Sequence, residues 1–485
     1  MKTISSIMLF LFAPILWAQD NEQAADKIWT LEECINYAWE NNLNIRGSQL
    51  DQLNNEITLK QSKFDLLPNL SAGGSIGKSF GRTIDPVSNS FVSRDFVSGG
   101  LSANSNLTIY QGGRLRNTIK RNELNLEAGQ LNLQKSQNDV ALDVASRYLT
   151  VLLNAEQLEN SRFQLEVTSA QLEQTVVLVE AGSVPYSNQL DLESQVASNE
   201  VQVVNAENNY NIALLNLKQS MQMPAEQQLI IEQPDIDIAS VALTGIKDVD
   251  EVYQVAQSTM PEIKSSQLVI ESREMDEKIA KAAFLPTLSV GASLSTNYSD
   301  QARQLLGTES VDIPATPIGF VQGTNNIVLS NPRTQQIPIF SENYSTIDQF
   351  EDNLGQSVRF NLNIPIFSKL SNTTNYQRAQ INKQRAEITA QNVKNQLRQS
   401  IETAHNNALA SLKSYEASQK RVSSLEESFR ATQERYNVGQ SSFVDFQIAN
   451  NNLFAARTDL LRAKYEYIFR VKILDFYLGK SITLE

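Results

Sequence analysis

The sequence is poor in the residues that most often carry metal, redox or nucleophilic chemistry. It contains one cysteine, Cys34, and one histidine, His405, among 485 residues. A disulfide within the chain, a Cys/His zinc cluster and a metal site with two histidines are therefore excluded. No carboxylate pair, Gly-rich phosphate loop or nucleophile elbow stands out, so we expect no catalytic residues, no metal and no cofactor. Cys34 is expected in the core of the first helix.

Glycine and proline are also scarce, with 19 and 13 residues, which is low for an all-β protein of this length and favours long helices. The formal net charge is -13, so the chain lacks the clustered basic surface that nucleic acids require, and we expect no nucleic-acid partner. After the N-terminal segment no run of about 18 apolar residues occurs, so no spanning helix is predicted, although this criterion detects barrel strands poorly.

The N-terminal segment has the layout of a secretory signal. Lys2 is followed by an apolar stretch that ends at the small residue Ala18. Residues 1–18 are therefore predicted to be a cleavable signal peptide, with the mature protein beginning near Gln19.

The remainder consists of two copies of one unit. Leu67 and Pro68 recur as Leu285 and Pro286, an offset of 285 minus 67, or 218 residues. Gly182 recurs as Gly439, an offset of 439 minus 182, or 257 residues. The second copy has therefore gained 257 minus 218, or 39 residues, before its long helix.

An apolar residue at every seventh position of both copies predicts helices that pack along a narrow seam. The matched positions are Val144, Val151, Leu158, Leu165, Leu172 and Val179 in the first copy and Ile401, Ala408, Tyr415, Val422, Phe429 and Tyr436 in the second. A solitary two-helix coiled coil is the alternative. The long, nearly glycine-free helix in each copy, roughly 105 Å in length, favours a larger assembly of antiparallel helices.

These patterns predict a mixed α+β membrane protein made of two tandem repeats, residues 19–223 and 248–485, joined by a connector at 224–247. The elements predicted in repeat 1 are a helix at about 31–66, strands at about 66–81 and 96–111, a long helix at 113–181, a tip hairpin near 182–186 and a helix at 187–222. Those predicted in repeat 2 are a helix at about 248–284, strands at about 284–299 and 354–367, an outer loop at 300–353, a long helix at 368–438, a tip hairpin near 439–443 and a helix at 444–478.

The four predicted strands alternate apolar residues with small polar ones. In the first, Leu70 and Ile76 share one face while Ser71 and Ser75 share the other. Strands of roughly ten residues with one lipid-facing and one lumen-facing side are typical of outer-membrane barrels. Closed membrane barrels begin at about eight strands, so four strands require several chains. Soluble, half-buried strands are the alternative.

Several motifs, in their order and duplication, resemble the TolC-like outer-membrane efflux proteins over essentially the whole mature chain. They are the opening Trp29-Thr30-Leu31-Glu32-Glu33, the pair Leu67-Pro68, the run Gln111-Gly112-Gly113-Arg114 and the two glycine hairpins. The resemblance implies a homotrimer in which a long antiparallel α-helical coiled-coil barrel crosses the periplasm and a transmembrane β-barrel is shared between protomers. A belt is expected at residues 223–247 and the C-terminus.

The resemblance also implies a location in the outer membrane of a Gram-negative bacterium. The function it implies is the channel component of a tripartite efflux or type I secretion system. The implied partners are a periplasmic adaptor (membrane fusion) protein, an inner-membrane pump of the RND, ABC or MFS type, and outer-membrane lipid. Without the resemblance, a periplasmic coiled-coil adaptor or scaffold without a pore remains the alternative.

In that family the hairpins form a periplasmic tip that docks the adaptor and closes as an iris. The positions carried over are Gly182, Ser183 and Val184 in the first hairpin and Gly439, Gln440 and Ser441 in the second. Relatives tend to have carboxylates six and nine residues past the second glycine, which here correspond to Asp445 and Ile448.

In that family these carboxylates form a ring that filters charge. This chain keeps one of the two positions, and Asp191, the counterpart of Ile448 in the first copy, could replace the missing carboxylate. Three copies of Asp445 near a three-fold axis should repel one another, attract cations and raise the carboxyl pKa. In the alternative interpretation, Asp445 supports the hairpin or the first helical turn.

A closed-tip lock in some relatives joins a tyrosine to an aspartate and an arginine. At these positions this chain has Tyr436, Asn188 and Ser441. The lock is thus expected to use neutral hydrogen bonds, which are weaker than charged ones, and the gate should open more easily.

Overall fold

The computed structural model describes residues 27–92, 95–234, 247–324, 326–341, 343–480 and 482. The predicted signal peptide at 1–18 and residues 235–246 of the predicted connector lie outside these ranges. The chain divides into two compact units. A helical unit comprises Met1–Asn54, Glu127–Leu268 and Ile388–Glu485, and a sheet-containing unit comprises Asn55–Leu126 and Val269–Glu387.

The helices reproduce the internal duplication. They are α1 (Leu31–Asn41), α2 (Leu43–Phe64), α3 (Arg114–Glu180), α4 (Tyr186–Met221), α5 (Val249–Thr259), α6 (Pro261–Ala282), α7 (Thr346–Asp352), α8 (Ser371–Asn437) and α9 (Phe443–Tyr477). The long helices α3 and α8 each have 67 residues, and the helices that follow them, α4 and α9, have 36 and 35. No helix in the described ranges combines the length and hydropathy required to cross a bilayer.

The first helix of each repeat is broken, whereas the sequence pattern predicted one continuous helix of about 35 residues. The breaks lie at Asn42 and Met260, both extended, and these positions are 260 minus 42, or 218, residues apart. Met260 precedes Pro261, which disfavours helical geometry in the residue before it. Asn42 accepts a bond from the Asn44 amide at 2.9 Å and donates its side-chain amide to the Ser220 carbonyl at 3.0 Å. The predictions of continuous helices at about 31–66 and 248–284 were therefore wrong at these two points.

The main core of the helical unit surrounds Cys34, which is fully buried as predicted. Burial raises the pKa of its thiol to about 12, so the side chain behaves as a small apolar residue. Beside it, Tyr148 donates its hydroxyl to the carbonyls of Trp29 at 3.1 Å and Glu232 at 2.8 Å. These bonds fix the start of the connector against the first residues of repeat 1.

The seven-residue apolar seam is buried or half-buried at all twelve predicted positions. Val144, Val151, Ile401 and Ala408 are fully buried. Half-buried positions, including Tyr436, occur mainly toward the glycine ends of α3 and α8. The helix seams thus pack most tightly away from the hairpins.

The sheet-containing unit has one four-stranded antiparallel sheet and several short ribbons. The strands are β1 (Ile28–Trp29), β2 (Asn69–Ser79), β3 (Thr83–Ile84), β4 (Phe91–Val92), β5 (Phe96–Gln111), β6 (Ile230–Ile231), β7 (Thr287–Ser299), β8 (Leu305–Ile313), β9 (Pro317–Phe320), β10 (Ile327–Leu329), β11 (Arg333–Phe340) and β12 (Gly355–Asn363), of which β1 and β6 pair in the helical unit. The large sheet has the order β12-β7-β5-β2, so β12 and β2 are its edges.

The strand register places apolar residues on one face of this sheet and small polar residues on the other. Across the strands, Val358 pairs with Ala292, and Ala103 pairs with both Ala72 and Leu294. On the opposite face Ser71, Asn104, Ser293 and Ser357 lie in one row, in which the hydroxyls of Ser293 and Ser357 are 2.8 Å apart. The apolar face is exposed in the single chain, with Leu70, Ile76 and Phe360 among its most accessible residues.

The segment at 300–353, which the sequence indicated only as a long loop, contains regular structure. Strands β8 and β11 pair along their length, β9 and β10 pair beyond them, and α7 follows. At the base of this segment, Gln349 of α7 is buried and accepts a bond from the Ser299 amide at 2.9 Å.

We predict that Gln222→Gly raises the free energy of unfolding by about 0.5–1 kcal/mol. The left-handed conformation costs a residue with a Cβ about 1–2 kcal/mol, and glycine avoids this cost. Part of the benefit is lost because glycine has more conformational freedom in the unfolded chain. Gln222 ends α4 with φ of 58°, and its counterpart 257 residues later is Gly479, with φ of 78°. Urea titration followed by circular dichroism in detergent measures the change. The matched reverse variant, Gly479→Gln, should be destabilised by a similar amount; a Gln222→Gly variant no more stable than the parent would contradict the interpretation.

Candidate functional site at the two helical hairpins

Both long helices stop at glycine in the same way. The Gly182 amide donates to the Val179 carbonyl and the Ser183 amide to the Leu178 carbonyl, each at 2.9 Å. In the second hairpin the Gly439 amide donates to Tyr436 at 3.0 Å and the Gln440 amide to Arg435 at 2.8 Å. This bonding pattern needs a left-handed residue after the helix, and the φ angles of Gly182 and Gly439 are 71° and 76°.

The helices that leave the two hairpins begin differently. Helix α4 begins after Pro185, which offers no side-chain acceptor. Helix α9 begins with a capping box in which Ser442 Oγ accepts from the Asp445 amide at 3.1 Å and Asp445 Oδ2 accepts from the Ser442 amide at 3.3 Å. The repeat counterpart of Asp445 is Asn188, whose amide donates to the Pro185 carbonyl at 3.1 Å. The second hairpin therefore has the better satisfied helix start.

The pKa of Asp445 is lowered in the single chain. The main cause is the hydrogen bond from the Ser442 hydroxyl, at 2.7 Å, followed by the bond from the Ser442 backbone amide. Hydrogen bonds to the carboxylate stabilise its charged form, which explains the lowered pKa in one chain. The rise expected for three Asp445 side chains near a three-fold axis stays a prediction for the assembly. The contacts of Asp445 in this structure agree with the alternative interpretation, in which its carboxylate supports the first turn of α9. Its exposure leaves the acidic-ring role as a prediction for an assembly.

Tyr436 takes part in an aromatic cluster rather than a hydrogen-bonded lock. Its ring stacks on Phe446 at 5.1 Å between centroids and lies 6.0 Å from Phe443. In the described part of the chain no hydrogen bond joins Tyr436 to Asn188 or Ser441. Burial raises the pKa of the Tyr436 hydroxyl. The neutral lock therefore stays a prediction for another state or for the assembly.

The same cluster links the two hairpins. Leu192 of α4 is buried against Phe443 and Phe446 of α9, with Leu172 and Phe429 packed beside them. Sequence reasoning missed Leu192, Phe443 and Phe446 as site residues, although two phenylalanines three positions apart at a helix start are a recognisable helical pair. These side chains hold the first hairpin against the second, close to the glycine turns.

The remaining predicted tip residues differ in exposure. Gly182, Ser183, Gly439, Gln440 and Asp191 are exposed. Val184, Ser441 and Asn188 are half-buried. The exposed turns are accessible to a partner, and Asp191 lies on the solvent side of α4 next to the buried Leu192.

Farther along the hairpins, buried amide side chains form a polar layer. Asn199 donates to the fully buried Thr168 Oγ1 at 2.9 Å and accepts from Gln195 at 2.9 Å. In α9, Asn450 Nδ2 and both amide atoms of Gln447 are buried without a partner in the described structure. Unpartnered buried polar atoms cost stability, so this layer weakens the packing of the hairpins.

The described residues contain no group of three or more His, Cys, Asp or Glu side chains that could hold a metal ion. The chemistry that the hairpins offer is instead electrostatic and steric: exposed carboxylates near both turns, an aromatic cluster and exposed glycine turns.

These features define a class of duplicated proteins in which two glycine-ended helical hairpins are joined to an antiparallel sheet with free edges. A family model described as "Outer membrane efflux protein" matches residues 34–221 and 252–480. The chain belongs to this outer membrane efflux protein family, and its location is accordingly the outer membrane of a Gram-negative bacterium.

Curated and solved proteins are similar to the chain at low identity. The outer membrane protein TolC of Salmonella enteritidis is 23% identical over 355 residues, and that of Escherichia coli (strain K12) is 22% identical over 352. Each match covers 71% of this chain but only 62% of the TolC length.

Among solved structures, CusC has a TM-score of 0.70 at 18% identity, covering 93% of this chain and 92% of its own. The outer membrane protein VceC of Vibrio cholerae has a TM-score of 0.69 at 13% identity, covering 93% of this chain and 96% of its own. The open state of the MtrE outer membrane channel of Neisseria gonorrhoeae has a TM-score of 0.68 at 16% identity, covering 94% and 90%. These likenesses show that the fold is shared.

We predict that the start of α9 loses stability in acid because of Asp445. A lowered folded-state pKa means that the stabilising contribution is present above the unfolded-state pKa, near 3.8, and is lost as pH falls through the folded-state pKa. Hydrogen exchange at residues 442–446, corrected for its intrinsic pH dependence, should therefore accelerate below about pH 3.8. Asp445→Asn should abolish this acceleration, whereas Asp191→Asn, the control in the first hairpin, should leave it. Equal acid acceleration in the parent and in Asp445→Asn would refute the assignment.

The aromatic cluster predicts a different outcome for two substitutions of Tyr436. Tyr436→Ala should lower the free energy of unfolding by about 2–3 kcal/mol, because the stacked ring is removed from a half-buried site. Tyr436→Phe keeps the ring and should leave stability nearly unchanged. Urea titration in detergent compares the two variants. A loss in Tyr436→Phe as large as that in Tyr436→Ala would mean that the hydroxyl, rather than the ring, holds the hairpins.

Proposed function

We propose that the chain is the outer-membrane channel component of a tripartite efflux or type I secretion system. In this proposal three copies form a passive duct that carries substrates from an inner-membrane pump and a periplasmic adaptor to the outside. Membership of the outer membrane efflux protein family supports the general role, and the geometry of the single chain supports the finer one.

The observation that carries the proposal is the four-stranded sheet with two free edges and one exposed apolar face. In the hydrocarbon of a membrane each backbone amide and carbonyl must be hydrogen-bonded within the protein, so β2 and β12 need partner strands there. Joining β12 of one copy to β2 of the next satisfies both edges, and repetition of this contact closes a transmembrane β-barrel shared between protomers. The apolar face then meets lipid, and the row containing Ser71 and Asn104 lines the lumen.

The long helices support the same assembly. Val177, Val201 and Val204 of the first hairpin and Ile381 and Ile388 of α8 are exposed in the single chain. Exposed apolar residues that recur along helices indicate faces that other helices cover. In the trimer the hairpins of neighbouring copies supply those faces and complete a helical tunnel in the periplasm.

The hairpin turns are the proposed docking and gating end. Gly182, Ser183 and Val184, together with Gly439, Gln440 and Ser441, form the surface proposed to meet the adaptor. Asp445, with Asp191, is the proposed cation-selective constriction, and Tyr436 with Asn188 borders the gate. The segment at 224–247 is the proposed equatorial connector, and residues 300–353 are proposed to face the outside.

The partners follow from this role: a periplasmic adaptor, a pump of the RND, ABC or MFS type, and outer-membrane lipid. In this proposal the duct gives passage while the pump chooses the substrate, so drugs, siderophores, metal ions and polypeptides are all compatible with it. A periplasmic adaptor or scaffold without a pore has no use for a sheet with an exposed apolar face, which is why we favour the duct.

Planar-bilayer recording of the purified protein tests the proposal. The duct model predicts discrete channels that prefer cations, and Asp445→Asn should lower the cation-to-anion permeability ratio because it removes a charge from each chain at the constriction. Glu427→Gln serves as the control, since the Glu427 carboxylate is exposed and pairs with Arg430 at 2.7 Å on the same helix. Protein that inserts but never conducts would contradict the duct. Conductance with unchanged selectivity in Asp445→Asn would contradict only the acidic ring.

A further inference from the structure

A long β-ribbon is the main feature of the second repeat that the first repeat lacks. It consists of β8 paired with β11 and, beyond them, β9 paired with β10, and we call residues 305–340 the ribbon. It lies within the segment where the second repeat gained 39 residues. The duct proposal gives this added structure no role.

The ribbon is amphipathic along β8 and β11. Every second cross-strand pair of an antiparallel ribbon points to the same face. Val311, Ile313, Ile337 and Ile339 all belong to alternate pairs and therefore share one face. On the opposite face Thr334 donates to Asp312 at 2.6 Å and Gln336 donates to Ser310 at 2.7 Å. The polar side chains of that face thus pair with one another. The other face carries the aliphatic side chains Val311, Ile313, Ile337 and Ile339 together with Glu309, Arg333 and Gln335, and we call it the apolar face.

The apolar side chains of the ribbon are uncovered. Ile318 and Phe320 near its end are 67% and 69% exposed, and Ile337 and Ile339 are 42% and 43% exposed. An isolated two-stranded ribbon is marginally stable in water unless a third element packs on it. A surface of this kind therefore needs an occupant.

Two properties of the ribbon, its proline and its charge, limit the kind of molecule that can cover its apolar face. Pro338 lies within β11, and proline blunts an edge strand against pairing, so docking through the face is favoured over addition of a strand. Residues 305–340 carry one basic side chain, Arg333, against Glu309 and Asp312. Recognition of phosphate-bearing lipid headgroups requires clustered Lys and Arg, so the composition disfavours a lipid surface.

A complementary apolar surface exists at the same end of the sheet. The connection from β2 to β5 and the connection from β7 to β12 both leave this end, since Ser79 pairs with Phe96 and Ser98 pairs with Ser299. Phe80, Ile84 and Phe91 of the first connection are exposed in the single chain. We call these three residues the rim patch.

The rim patch is held in a fixed conformation. Asp85, next to Ile84, is fully buried and accepts bonds from the Val87 amide at 3.0 Å and the Ser88 amide at 2.7 Å. Its other oxygen accepts from the Ser299 hydroxyl at the end of β7. These bonds lower the pKa of the buried carboxyl against the effect of burial, so the anchor stays charged near neutral pH. A preorganised patch loses little entropy when it is covered.

We propose that the apolar face of the ribbon packs on the rim patch of the neighbouring copy. The proposal rests on the proposed trimer, in which β12 of one chain lies beside β2 of the next. The ribbon belongs to the connection from β7 to β12, and Phe80 directly follows β2. The junction of β12 with β2 of the next chain therefore brings the ribbon's connection beside the rim patch of that chain. The occupant of the ribbon is thus a second copy, and the ribbons strap adjacent protomers together outside the sheet.

Two experiments on the full-length protein in detergent test this contact. The first compares the temperature at which the trimer dissociates in the parent, in Ile337→Ser with Ile339→Ser, and in the polar-face control Thr334→Ser with Gln336→Ser. The apolar-face variant should dissociate at a lower temperature, while the control should match the parent. The second uses Ile339→Cys with Phe80→Cys, where a bifunctional thiol reagent should join different chains; Cys34 is fully buried and can remain.

The outcomes separate this contact from the trimer itself. Lower dissociation temperature together with cross-links between chains supports the strap. An unchanged dissociation temperature in the apolar-face variant, or cross-links only within one chain, overturns it while leaving the duct intact. If instead the apolar-face variant keeps its trimer but loses binding of a separate cell-surface protein, the ribbon serves that partner and the proposal is wrong. A parent protein that forms no trimer overturns the proposed function.

Discussion

The unpaired backbone of two edge strands is the constraint on which the rest of the structure depends. In the chain described here, β12 and β2 end a four-stranded sheet whose apolar face is open. In the proposed barrel those edges lie in hydrocarbon, where no water is available to hydrogen-bond them. The uncovered faces of the long helices impose the same requirement on the helical unit, because apolar residues along α4 and α8 have no partner in the single chain. We propose that further copies of the chain complete both the sheet and the exposed helix faces.

The two hairpins are alike because they occupy equivalent positions of a duplicated unit, and they differ where the two copies have diverged in sequence. The helix breaks at Asn42 and Met260 and the turns at Gly182 and Gly439 occupy equivalent positions. At other equivalent positions the copies have diverged, since Pro185 corresponds to Ser442 and Asn188 to Asp445. The capping box and the aromatic pair therefore belong to the second hairpin alone, while the first contributes Leu192. Farther along the hairpins a buried layer contains unpartnered amide groups, whereas the core around Cys34 is made of apolar side chains and tyrosines.

Much of the fold could be predicted because its helix and strand patterns persist over many residues. The seven-residue seam from Val144 to Val179 and the alternation from Leu70 to Ile76 each repeat often enough to distinguish helix from strand. The break before Pro261 was readable from the proline, whereas the break at Asn42 depends on a hydrogen bond to Ser220, which is distant in sequence. The strands of the segment at 300–353 are short and contain proline and glycine, so their pattern is weak.

The site was less predictable than the fold. The glycine turns have a local conformational cause and were visible in the sequence. The packing of Tyr436 on Phe446 depends on which side chains the hairpin brings together, and spacing alone does not give that contact. The Ser442–Asp445 pair is a capping signature that can be read from the sequence, and it sets the direction of the Asp445 pKa shift in one chain.

The most direct test of the account is the native mass of the protein released from outer membranes in mild detergent. One chain, before any processing, has a mass of 54.2 kDa. The proposed trimer, in which edge pairing completes the sheet, predicts a particle containing three chains, with essentially no free monomer. A stable, folded monomer with its sheet edges unpaired would contradict the central claim.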